Sequence, residues 1–90
     1  MDPFARQLRA RYLRRRQDDL TMLAESLAKS DFTAIRDIGH KLYGSGVPYG
    51  LDEVSRLGGE LEDAAKSQQA EQIAHIIEQI RTCLRDIGTR

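Results

Sequence analysis

Apolar side chains recur along this chain at spacings of three and four, the period of helices that bury one face. The first such stretch opens at Asp2-Pro3. Aspartate is a favoured N-cap, and proline at the first helical position lacks only a donor that would go unsatisfied anyway. Nothing breaks a helix from Phe4 to about Lys29, and Leu8, Tyr12, Leu20, Leu23 and Leu27 supply its core stripe. The stripe drifts near Arg16-Gln17-Asp18, which predicts a bend or a change of register. Ser30-Asp31 punctuates the chain, with Asp31 as N-cap of a second helix carrying Ile35, Ile38 and Leu42. That helix must end in the Gly44–Gly50 segment, because Pro48 disfavours helical geometry at Val47. A third helix spans roughly Leu51 to Ser67 and buries Val54, Leu57, Leu61, Ala64 and Ala65. The fourth, from about Ala70 to Ile87, has the cleanest stripe: Ile73, Ile76, Ile77, Ile80, Leu84 and Ile87.

Four amphipathic helices with short connections pack most simply as an all-α, antiparallel up-down four-helix bundle. Ninety residues make one domain, residues 1–90, with no room for a second useful core. Composition agrees: 40% of residues are hydrophobic, tryptophan is absent, and β-branched and aromatic residues are too sparse for a sheet. Fourteen basic and fourteen acidic side chains cancel, so no whole-molecule field points to nucleic acid or membrane. The halves differ, with nine Lys/Arg against six Asp/Glu in residues 1–45 and five against eight in residues 46–90. A single cysteine, Cys83, cannot close an internal disulfide and fits a reducing compartment. No apolar run approaches the roughly 18–20 residues that span a bilayer. Arg6 and Arg9 fall where the apolar segment of a signal peptide would lie. A cytoplasmic protein is expected, and Met1, if it is the initiator, favours a free-standing chain over a segment of a larger one.

The chemistry concentrates between Asp37 and Glu62. At about 100° per residue, Ile35, Ile38 and Leu42 fix the core direction of the second helix, and His40 projects roughly 160° away from it. Arg36 and Asp37 lie one turn before it on the outer face, Tyr43 and Gly44 one turn after. A helical glycine costs about 1 kcal/mol relative to alanine. Gly44 therefore either clears space for a bulky partner to approach the imidazole, or merely begins the fraying towards Gly46 and Pro48. On the third helix Ser55, Gly58 and Glu62 form one flank, with Gly59 further out; small residues there admit a close neighbour. Glu62 is placed to reach the imidazole sideways. A carboxylate accepting from one ring nitrogen fixes the tautomer and frees the other nitrogen as a nucleophile. The plainer alternative is a solvated surface charge.

His40-Lys41-Leu42-Tyr43-Gly44-Ser45-Gly46, followed by Gly50, Val54, Gly58 and Leu61-Glu62, resembles the signature of the histidine phosphotransfer (HPt) family, with every offset from His40 to Glu62 kept without insertion. The resemblance extends over essentially the whole chain. It implies a two-component phosphorelay carrier rather than an enzyme, in which His40 takes a phosphoryl group from a receiver-domain aspartate and passes it to another. It also implies Glu62 as orienter of the imidazole and Gly44 as clearance. Arg36, Lys41, Tyr43 and Val47 are then candidates for phosphate or partner contacts. Partners would be response-regulator receivers and a hybrid sensor kinase, with the chain itself a monomer. No cofactor or metal is expected on this chain, since Mg²⁺ belongs to the receiver in such systems. One departure matters: the family usually has lysine where this chain has Tyr43, which puts the cation beside the phosphoryl group in doubt. Lys41 lies about 100° round the helix from His40, and Arg36 is better placed.

Two rival readings come from other classes. Six arginines between Arg6 and Arg16 invite nucleic acid, but they fall on several sides of the helix without interleaved exposed aromatics. A helical adaptor that is never phosphorylated is the other, and it has no need of an exposed histidine beside a helix glycine. His75 falls roughly opposite the isoleucine stripe, as a surface residue sharing no ligand-like spacing with His40. Cys83 flanks that stripe as packing.

Overall fold

The computed structural model describes residues 2–89; the expected domain limits, Met1 and Arg90, lie outside them. Among the described residues there are four α-helices: α1 (Pro3–Ala28), α2 (Phe32–Ser45), α3 (Asp52–Lys66) and α4 (Ala70–Gly88). A single 3₁₀ turn, Val47–Tyr49, links α2 to α3. Asp2 and Asp31 cap their helices as the sequence predicts, accepting from the backbone N–H groups of Ala5 and Ala34.

Three turns reverse the chain in the same way. Asp31, Leu51 and Gln69 each donate a backbone N–H to the carbonyl five residues earlier, on Ser26, Gly46 and Ala64. The residue before each donor is left-handed: Ser30 at φ 54°, Gly50 at 72° and Gln68 at 53°. These tight reversals place consecutive helices side by side and antiparallel. Each helix contacts its sequence neighbours, and α1 also packs on α4, closing an all-α bundle.

The stripes of α2, α3 and α4 converge on one core, with Ile35, Val54, Leu61 and Ile73 fully buried around Leu23 of α1. The α1 stripe departs from expectation. Leu8 is exposed, whereas Arg16 and Asp19 are buried at core positions. The helix runs unbroken through Arg16-Gln17-Asp18, so the drift in its apolar pattern reflects these two charges occupying the seam. The pair lies against Lys41 and Ser45 of α2: Arg16 Nε is 2.9 Å from Asp19, and Lys41 Nζ is 2.9 Å from the other Asp19 oxygen.

Glycine sets the distance between α2 and α3. A Cβ built on Gly39 would lie 2.8 Å from the Glu62 amide nitrogen and 2.9 Å from the Gly58 carbonyl oxygen. One on Gly58 would lie 2.5 Å from the Tyr43 nitrogen. These neighbours are backbone atoms that cannot swing aside, so the two helices approach this closely only because neither glycine has a side chain.

Candidate functional site

His40 stands on the outer face of α2 with 76% of its side chain exposed. Gly39, immediately before it, faces inwards against α3, and the close helix contact brings Glu62 alongside the ring. Nδ1 of His40 lies 3.2 Å from Oε2 of Glu62. A carboxylate can only accept, so Nδ1 carries the proton in this contact, and the Nε2 lone pair is the one left to solvent. Only 20% of the Glu62 side chain is exposed, so the carboxylate arm is far more buried than the imidazole it meets.

Gly44 sits one turn beyond His40 on the same face, and α2 continues through it to Ser45. Unlike Gly39, Gly46 and Gly58, it has no packing reason to lack a side chain: a Cβ there meets nothing within 4 Å. Intramolecular contact therefore does not account for this residue. Tyr43 and Val47, both exposed, flank Gly44 and line a shallow groove with Ser55, Arg56, Gly59 and Glu60. On the other side of His40 an open polar depression is lined by Arg36, Asp37, Glu62 and Lys66. Arg36 Nε is 3.9 Å from Asp37, and Lys66 Nζ is 4.0 Å from Glu62.

The candidate contact residues thus divide. Arg36, Tyr43, Gly44 and Val47 share the His40 surface, while Lys41 turns towards α1 and pairs with Asp19. Two residues that arrange the site went unnoticed in the sequence, Gly39 and Lys66. Gly39 had a readable signal, because it is spaced four from Ile35 and three from Leu42 and so belongs to the inward stripe. His75 is exposed and Cys83 half-buried, both remote from His40 on α4. No group of three or more His, Cys, Asp or Glu among the described residues is placed to hold a metal, and no helix there is long and apolar enough to cross a membrane.

The profile of the Hpt domain family matches residues 7–89. The chain belongs to that family. An Hpt domain implies histidine phosphotransfer in two-component phosphorelays, in company with receiver domains and kinases. No curated protein and no solved structure gives a significant match, so the family profile and the geometry of the site carry the assignment.

Proposed function

We propose that this Hpt domain is a phosphocarrier whose acceptor atom is Nε2 of His40, receiving a phosphoryl group from one receiver aspartate and yielding it to another. The observation that carries this reading is an imidazole whose Nδ1 is engaged by Glu62 while Nε2 faces open solvent. In the transfer, the Nε2 lone pair forms the N–P bond as the P–O bond to the aspartate breaks, and the electron pair leaves on the carboxylate. The Nδ1 proton stays in place. Bond formation makes the ring cationic, and the Glu62 carboxylate stabilises that charge as it develops. Glu62 is accordingly the orienter, and Gly44 the clearance that lets a receiver bring its aspartyl phosphate in line.

Tyr43 and Val47 give the receiver an apolar footing beside the histidine, and Arg36 gives the phosphoryl group a cation. Lys41, drawn to Asp19, contributes at most at the margin. The chain supplies no cofactor of its own; Mg²⁺ and most of the charge stabilisation belong to the receiver. The carrier acts as a monomer between receivers and a hybrid kinase in the cytoplasm, a setting that suits its single cysteine. Incubation with a phosphorylated receiver tests this. Acid-labile, base-stable label is expected on the native chain and not on His40→Gln; equal labelling of both would overturn the assignment.

A further inference from the structure

The cation question left by Tyr43 has an answer on the neighbouring helix. We propose that Lys66 of α3, together with Arg36 of α2, holds the phosphoryl group on His40, exchanging its contact with Glu62 for one with a phosphoryl oxygen when the histidine is loaded. This rests on the reading of His40 as phosphoacceptor and adds the residues that bind the transferred group.

The depression beside His40 is walled by two cations and two carboxylates: Arg36 and Lys66, Asp37 and Glu62. Both cations are only loosely held. Lys66 Nζ stands 4.0 Å from Glu62 and Arg36 Nε 3.9 Å from Asp37, and about half of each basic side chain is in solvent. Exposed pairs at the limit of contact contribute little, so either cation is free to change partner at small cost. Lys41, next to His40 in sequence, is not available in this way: it is 2.9 Å from Asp19, whose side chain is 6% exposed.

Glu62 links the two states. In the unloaded chain its Oε2 is shared between His40 Nδ1 at 3.2 Å and the more distant Lys66. Once the N–P bond forms, the ring becomes cationic and claims the carboxylate fully. The phosphoryl group adds between one and two negative charges and three acceptor oxygens on the same side. Lys66, four residues and one helical turn beyond Glu62, then has a stronger partner within the same depression. The effect is to favour the dianionic phosphoryl group on His40, and so to set how readily the carrier accepts and gives it up.

The chain labelled with phosphoramidate, a small donor that bypasses any receiver, gives a test free of docking effects. The ionisation of the bound phosphoryl group is followed by ³¹P NMR across pH for the native chain, Lys66→Gln and Lys66→Arg. Loss of the cation disfavours the dianion, so Lys66→Gln should raise the phosphoryl pKa by about half a unit. Lys66→Arg should restore it, and 1 M salt should shrink the difference. Coincident titration curves for native and Lys66→Gln, each labelled on His40, would overturn the role of Lys66 and leave the carrier reading intact. Failure of the native chain to take label on His40 would overturn both.

Discussion

Two polar clusters flank α2, meeting it at the adjacent residues Lys41 and His40 and opposite in character. In the seam with α1, the Arg16–Asp19 pair is buried, with side chains 8% and 6% exposed. Asp19 also takes Lys41, and the Ser45 hydroxyl accepts from Arg16 and Tyr12 while donating to the Leu42 carbonyl. Tyr49 stacks on Tyr12 with ring centroids 4.3 Å apart, and the Arg16 guanidinium lies over the Tyr12 ring. On the α3 side, His40 has one partner and an open nitrogen. Charge and hydrogen-bonding capacity are present in both places. Only the second cluster leaves capacity unspent and accessible, and that difference separates a structural network from a reactive one.

Substitutions on either side should therefore act on different observables. Asp19→Ala has the largest expected effect on the fold. It strands the Arg16 guanidinium in the seam, and breaking a buried ion pair destabilises by about 3 kcal/mol. Denaturant unfolding should show that loss, while phosphoryl acceptance per folded molecule stays near native because His40 and Glu62 are untouched. A large loss of acceptance at unchanged fold would mean that the two clusters are coupled rather than separate.

The glycines allow a sharper contrast within one helix. Gly39→Ala drives a methyl group into the α3 backbone and should destabilise by about 2 kcal/mol, as overpacking does. It should also slow phosphotransfer by widening the gap between His40 and Glu62. Gly44→Ala enters open space and should stabilise by up to about 1 kcal/mol, the usual gain on replacing a helical glycine. If Gly44 provides clearance, that more stable variant transfers more slowly with a receiver yet accepts normally from phosphoramidate. Transfer at the native rate from both donors would return Gly44 to an ordinary helix end.

Glu62→Gln comes last in its effect on the fold, with stability expected within about 0.5 kcal/mol of native. The amide keeps a hydrogen-bond acceptor for Nδ1–H but withdraws the negative charge that meets the cationic ring. Acceptance should fall roughly tenfold, equivalent to about 1.4 kcal/mol of transition-state stabilisation. Rapid-quench labelling measures it, and an unchanged rate would reduce Glu62 to a surface charge.

Much of this arrangement is legible in the sequence because it follows from local rules. Asp2, Pro3 and Asp31 mark helix starts through capping chemistry, and the isoleucine stripe of α4 defines its buried face without reference to anything else. His40 reads as exposed for the same reason, since Ile35, Ile38 and Leu42 set the core direction. The turns are less legible. Ser30 and Gln68 adopt left-handed backbone that glycine announces at Gly50 and they do not. The α1 seam is least legible: Arg16 and Asp19 interrupt an apolar pattern, and their burial depends on Lys41 and Ser45, more than twenty residues away. Gly39 escapes notice because a stripe traced through apolar residues passes over a residue with no side chain. The contact it permits is nevertheless what puts Glu62 within reach of His40.

The identity of the phosphorylated nitrogen tests the account most directly. Chain labelled with ¹⁵N at histidine and loaded by a phosphorylated receiver should show phosphorus coupling to Nε2 of His40, with Nδ1 still protonated against Glu62. Coupling to Nδ1, or a phosphoryl group on any other residue, would contradict it.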